Sequence, residues 1–475
     1  MAQLSTSPAA ARVVTTGSPY SAILRLATPT VIAMLSQSIV NEVDAIFFAH
    51  LPAPEGSNGQ AALLPSLILL WVFGGSLSAI SVGTQAFTAR RFAERRYADA
   101  GAVLVNAAVF SLLAGVIFTA LAYVLLPLLL PLVIKIPEVR EAAASYLNWR
   151  LLGITSMAVT FAFKAFFDGI GKTHVHLVSA IVMNVINVAL CWALIFGNLG
   201  APRMGVEGAG LAGFISTYIG LAVMVGYALL PEYRGFHPFA LQRLSSRIVG
   251  DVLKLSIPSA IATIAVMTGF ALFSFIVSKL DELQAAGLAE SAVREAVNSA
   301  ATTNVVVILK LTFTACLAFG TATATLVGQS LGEKDPEKAA RFGWASVKLG
   351  LLIFGVVGFL EGVVFTGPLL SLLTKSEAVH QAALVPMRIM GLCTPLIAVG
   401  MILTQALFGA GNSRFVMIVE LILHFTCLVP LAWLFGITLG WGLVGIWAAA
   451  VVYVVALSSV MVWKFWKGDW KEIRL

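Results

Sequence analysis

The sequence predicts an all-α integral membrane protein. Twelve transmembrane helices would form two six-helix lobes, related by a pseudo-two-fold axis along the membrane normal. Three observations lead there. Of the 475 residues, 59% are hydrophobic and only 11% are charged, too little charge to cover a soluble surface of this size. Apolar runs of about 20 residues or more recur along the whole length, the length a helix needs to cross a bilayer. Short motifs of the first half return in order in the second. Alternating polar and apolar strands, which would signal a membrane barrel, are not seen.

Taken in order, the spans are expected near 22–50, 62–87, 102–134, 142–167, 174–198, 208–230, 251–280, 299–328, 340–372, 382–408, 414–437 and 440–465. The polar N-terminal stretch to Tyr20 has no compact signal-peptide core, so the first apolar segment reads as a retained helix. Lys and Arg set the orientation. With both termini cytoplasmic, the inner loops hold Arg90, Arg91, Arg95, Arg96, Arg234, Arg243, Arg247, Lys334, Lys338 and Arg341. The outer loops hold only Lys135, Arg140, Arg203, Lys279, Arg294 and Lys375. The expected location is the plasma (inner) membrane, and the net charge of +7 belongs to those inner loops rather than to a nucleic-acid surface. Cys191, Cys316, Cys393 and Cys427 lie in apolar runs and read as small hydrophobes, not as a disulfide or zinc framework.

The repeat divides the chain into an N-terminal lobe (1–230), a cytoplasmic linker (231–250) and a C-terminal lobe (251–475). Leu26-Ala-Thr-Pro29 answers Leu255-Ser-Ile-Pro258, and Ala93-Glu94 answers Gly332-Glu333. Arg150-Leu-Leu-Gly153 answers Arg388-Ile-Met-Gly391, and Gly169-Ile-Gly171 answers Gly409-Ala-Gly411. The offset stays between about 229 and 240. Six spans per half bring both halves into the membrane from the same side, with a substrate path expected between them. In the linker, Tyr233, Phe236 and His237 suit either a helix on the membrane surface or a plain connector. The charged run from Asp281 to Asn298 reads as an external loop with a short solvated helix. Gly169, Gly171, Gly409 and Gly411 read as turn formers.

The first span carries the chemistry. Thr30, Gln37, Asn41 and Asp44 are spaced 7, 4 and 3 apart and share one helix face. A carboxylate in hydrocarbon is costly, so Asp44 should face the protein interior or a water-filled cavity. It reads as an ion switch, or as a buried acid bonded to Asn187 or a serine. Glu42 lies about 200° round the helix and cannot share that cavity. Lys310, deep in the eighth span, would line a cavity or form an ion pair. Glu420 and His424, four apart, would form a second proton site or a satisfied internal pair. Lys164 and Asp168 should pair at the surface, and Arg150 and Arg388 should share a structural role. Glu361 has no role in this reading. No phosphate loop, metal-ligand spacing or nucleophile–base constellation is present, so neither an ATPase nor an enzyme is expected.

The order of these pieces resembles the multidrug and toxic compound extrusion (MATE) family. The resemblance rests on Pro29 to Asp44, Leu326-Val-Gly-Gln329-Ser-Leu-Gly332-Glu-Lys-Asp-Pro336, the two Gly-x-Gly turns, and Asn187 followed by Ile195-Phe-Gly197 and Gly205-Val-Glu-Gly208-Ala209. It implies an ion-coupled antiporter that exports amphipathic, often cationic organic molecules and needs no cofactor. The coupling ion would be a proton or sodium, with Asp44, Gln37 and Asn187 at family positions for cation handling. A sodium site at Asp44 and Asn187 is one implied form, and Pro29 marks a helix bend. The sequence also departs from the family. Cys191 stands where many members have an acid, Gly213 where some have a threonine, and the seventh and tenth spans lack acids. Coupling is therefore expected in the N-lobe. The expected partners are a small organic substrate and the lipid bilayer, with the chain a monomer. The alternative is a lipid-linked saccharide flippase, which would need several deep basic residues. The substrate, the choice of proton or sodium, and any part for the C-lobe stay open at this level.

Overall fold

The computed structural model describes residues 18–40, 43–286 and 296–475. Its helices are, in order, α1 (Pro19–Val40), α2 (Val43–Ala49), α3 (Glu55–Phe73), α4 (Ile80–Ala93) and α5 (Tyr97–Val133). They continue with α6 (Pro137–Arg150), α7 (Gly153–Gly169), α8 (Thr173–Phe196), α9 (Val206–Leu229), α10 (Ser246–Ala286) and α11 (Val297–Gly332). Then come α12 (Pro336–Phe359), α13 (Thr366–Leu373), α14 (Glu377–Ala410), α15 (Ser413–Ile422), α16 (Val429–Trp433) and α17 (Gly442–Lys467). The described residues contain no strand. Eleven stretches are long and apolar enough to cross a membrane, and α6 with α7, bent by 49°, make a twelfth. The twelve expected spans are therefore present.

Several spans are less regular than their apolar runs suggest. The second begins at Glu55 and is broken by a 3₁₀ turn, Gly75–Ala79. In the second half, π-helical turns interrupt the ninth and eleventh spans at Leu360–Val364, Leu423–Leu428 and Leu434–Thr438. Hydropathy does not register such breaks, because one extra residue per turn leaves the apolar run intact.

The chain packs into two compact units. One comprises Arg25–Ala260 with Gly328–Lys334; the other comprises Ile261–Val327 and Asp335–Leu475, with the start of α1 up to Leu24. Within the first, α5 shows how a span separates lipid from core. Val124, Leu128 and Leu132 are each more than 60% exposed, while Ala122, Leu126 and Leu130 on another face are buried. An exposed aliphatic stripe is what hydrocarbon solvates. Phe48, Tyr146, Leu147, Ile195 and Val206 belong to the buried cluster that joins α2, α6, α8 and α9. The second unit has its own core around Phe273, Leu309, Met387, Ile446 and Trp447.

The repeat is visible in backbone geometry. Arg95 and Lys334, which follow the paired Ala93-Glu94 and Gly332-Glu333, both have φ of 61°. Gly171 and Gly411 take left-handed φ of 76° and 90°, as turn-forming glycines should. Gly169 and Gly409 correct the expectation, for they are helical and serve close packing. A Cβ on Gly169 would stand 2.9 Å from Thr88 Cβ, and one on Gly409 would stand 2.3 Å from the Ala324 carbonyl oxygen. A helix passes too near another backbone for any side chain there.

The connection after α9 is no surface helix. It forms 3₁₀ turns, Pro231–Phe236 and Leu241–Arg243, and Tyr233 and Phe236 are buried among Phe92, Phe166 and Phe167. Asn106 of α5 clamps its far end, donating to the Arg243 carbonyl at 2.9 Å and accepting from the Ser245 amide at 2.7 Å. Burial also holds the Tyr233 phenol well above its usual pKa, with Glu232 adding to the effect. In the Asp281–Asn298 run, residues 287–295 lie outside the described residues. Asp281, which had no assigned role, accepts from the amides of Asn298 at 2.9 Å and Ser299 at 2.8 Å. It caps the free N–H groups at the start of α11.

Candidate ion and substrate site

Five helices of the first unit direct polar side chains into one small cavity. The periodicity of each helix explains which residues arrive there. On α8, Asn184, Asn187 and Cys191 are three and four apart; on α9, Gly213, Ser216 and Thr217 share a face; on α6, Tyr146 and Arg150 lie one turn apart. Gln37 comes from α1, Asp44 from α2, and Leu67 and Met183 supply apolar wall. Thr30 is buried and is satisfied by its own helix, its hydroxyl donating to the Leu26 carbonyl at 3.1 Å. Pro29 lies within α1, which runs through it. Asn41, the fourth member of the expected stripe, lies outside the described residues, as does Glu42.

Asp44 has two donors. Tyr146 Oη lies 3.2 Å from Asp44 Oδ2, and Cys191 Sγ lies 3.5 Å from Oδ1. Asn187, expected as a direct partner, instead donates to Ser216 Oγ at 3.2 Å, and its Oδ1 is 3.9 Å from Cys191 Sγ. Asn184 donates to Ser36 Oγ at 3.1 Å and so ties α8 to α1. The thiol of Cys191 thus sits beside Asp44 where Asn187 was expected.

The residue that sequence reasoning misplaced is Arg150. A role shared with Arg388 does not fit, since Arg388 is exposed whereas Arg150 lines the cavity. The Arg150 side chain lines the cavity together with Tyr146 and Asp44, and its buried Nε makes no hydrogen bond. Room for it comes from Gly213, where a Cβ would stand 2.4 Å from Arg150 Nη1. The threonine-to-glycine departure was legible in the sequence, but its cause sits 63 residues away on another helix. Among the lining residues, Asp44 is the one carboxylate and Arg150 the one formal cation.

The remaining candidates stand apart from this cavity. In the second unit Glu420 and His424 meet as expected, with His424 Nδ1 3.3 Å from Glu420 Oε2. Tyr453 of α17, absent from the sequence reading, donates to the same oxygen at 3.0 Å. All of Glu420 and His424 is buried, and His424 sits in the π turn. Lys310 has an exposed side chain, and its carbonyl accepts from Thr314 at 2.7 Å. Glu361 gains a partner, the Thr312 hydroxyl at 2.6 Å. Lys164 and Asp168 pair at 2.7 Å, but not at the surface: the Asp168 side chain is 2% exposed. The four cysteines are free, with Cys191 and Cys316 buried and the other two partly exposed. No group of three or more His, Cys, Asp or Glu side chains among the described residues could hold a metal ion.

Comparison with known proteins agrees with this architecture. The family model described as MatE matches residues 29–193 and 258–434. A curated relative from Thermotoga maritima, named probable multidrug resistance protein NorM, is 25% identical over 95% of this chain and 93% of its own. Multidrug resistance protein PmpM of Pseudomonas aeruginosa is 26% identical over 70% of this chain and 68% of its own. A solved structure described as the outward-facing conformation of a multidrug resistance MATE family transporter matches with a TM-score of 0.84. It does so at 22% identity, over 96% of this chain and 98% of that one.

Proposed function

Because the chain belongs to the MATE family of membrane transporters, we propose that it is a secondary active exporter of amphipathic, cationic organic molecules. In this reading, exchange is driven by an inward cation gradient and coupled at Asp44. The observation that supports the reading is the cavity itself, where one carboxylate, Asp44, and one guanidinium, Arg150, stand in a neutral polar lining of Gln37, Asn184, Asn187, Ser216 and Thr217. Asp44 is the one group of that lining that a proton or a cation can neutralise, so coupling ion and substrate compete for it. Leu67 and Met183 offer apolar contact, and methionine adapts to differently shaped partners. The relatives' multidrug names lend support to this substrate class.

The alternative, a lipid-linked saccharide flippase, needs several cations for a pyrophosphate. Arg150 is the single one in this cavity, which favours the exporter. We further propose that the chain acts as a monomer in the plasma membrane with both termini cytoplasmic, its functional halves being 1–230 and 251–475. Glu420, His424 and Lys310 have no part in coupling in this reading.

Inverted vesicles loaded with the protein should accumulate a fluorescent organic cation when a cation gradient is imposed. Asp44→Asn should abolish that accumulation at normal expression. Full gradient-driven transport by Asp44→Asn would refute the mechanism.

A further inference from the structure

We propose that Arg150 is the resident cation of the Asp44 site and excludes sodium from it. This rests on Asp44 being the coupling carboxylate, and it narrows the coupling ion to one that needs no ligand shell. Three features of the cavity carry it.

The groups that meet Asp44 are hydrogen donors. A hard cation is held by several oxygen lone pairs at once, and the phenol hydroxyl on Oδ2 and the thiol on Oδ1 would have to turn away before one could settle there. The amide oxygen of Asn184 stays unpartnered in the same cavity, so the donors alone do not decide the ion and the charge does.

The charge balance is wrong for sodium. Among lining residues the charges are one carboxylate and one guanidinium, so a metal cation entering beside Asp44 would bring a second positive charge beside Arg150. No other element packed round Asp44 offsets it. From α6 come Tyr146 and Arg150, from α8 Asn184, Asn187 and, bonded to Asp44, Cys191, from α1 Gln37, from α3 Leu67, and from α9 Ser216 and Thr217. Glu207 of α9 accepts from Trp149 Nε1 at 2.8 Å and is not part of the lining.

Finally, the arginine is fitted rather than incidental. Gly213 leaves the space that Nη1, Cζ and Cδ of Arg150 fill, since a Cβ there would approach them to 2.4, 2.8 and 2.9 Å. The guanidinium, unlike an ammonium, stays charged at any physiological pH. It is a permanent occupant.

The test is sodium binding to purified full-length protein in detergent, by equilibrium dialysis with radiolabelled sodium, beside transport driven by sodium or proton gradients imposed separately. Wild type should bind no more sodium than Asp44→Asn, and a sodium gradient at equal pH should drive nothing. Arg150→Gln should bind sodium about tenfold more tightly than wild type, while Arg150→Lys, whose buried ammonium can shed its proton, should admit sodium as pH rises. Size-exclusion and melting profiles establish that each variant is folded. Sodium binding by wild type that disappears in Asp44→Asn overturns the proposal, as does a folded Arg150→Gln that remains blind to sodium. Failure of the underlying reading looks different: Asp44→Asn would then keep gradient-driven export.

Discussion

Gly213 and Arg150 show how one glycine can serve a charge. The guanidinium takes the volume that a side chain at 213 would fill, so the pair constrains itself across two helices. Gly213→Ala would press on the buried Arg150 side chain from Cδ to Nη1 and should cost about 1–3 kcal/mol of stability. Thermal unfolding in detergent checks this; an unchanged melting profile would mean that the guanidinium is free to move. In the sequence, Gly213 is one of 41 glycines and Arg150 one member of a repeat motif. Nothing in their spacing couples them, because their contact depends on how α6 packs on α9.

At the scale of the helix, the repeat glycines separate turn from packing. Gly171 and Gly411 close α7 and α14 with positive φ, whereas Gly169 and Gly409 let helices touch. The depth of the approach differs. At Gly409 a Cβ would stand 2.3 Å from the Ala324 carbonyl oxygen, while at Gly169 it would stand 2.9 Å from Thr88 Cβ, an atom equally fixed to its backbone. Gly409→Ala should therefore destabilise the protein by about 1–3 kcal/mol, and Gly169→Ala by less, since the intrusion at 409 is the deeper one. Thermal unfolding in detergent would order the two; a larger cost at 169 would contradict this account. Spacing alone marked both pairs as helix ends, because a Gly-x-Gly run looks the same whether its first glycine turns or packs. The π turns were likewise silent in the sequence, although one carries Glu361 and another His424.

For the molecule as a whole, the two units hold polar clusters of different character. The first opens a cavity at Asp44 with a single acid and base. In the second, Glu420 and His424 close on each other and on Tyr453. A buried network serves folding, and removing one member leaves the others unpaired. Glu420→Ala should therefore lower stability by about 1–3 kcal/mol, with export per folded molecule unchanged. Loss of coupling in protein of normal melting behaviour would instead make this cluster a second ion site.

The chain alone, through hydropathy and internal repetition, was enough to settle a twelve-span, two-lobe membrane architecture, and it marked Asp44 as an acid facing the interior. Those features are properties of composition and period, and a bilayer imposes them on any segment that crosses it. The neighbours of Asp44 belong to another level. Tyr146, Arg150 and Cys191 reach it from helices about 100 to 150 residues away, and no local pattern encodes which helix faces which. Packing brought a phenol, a thiol and a guanidinium to the carboxylate where the expected partner was Asn187. Packing likewise buried the connector at Tyr233 and Phe236, because aromatic side chains beside an apolar bundle gain more from burial than from the membrane surface.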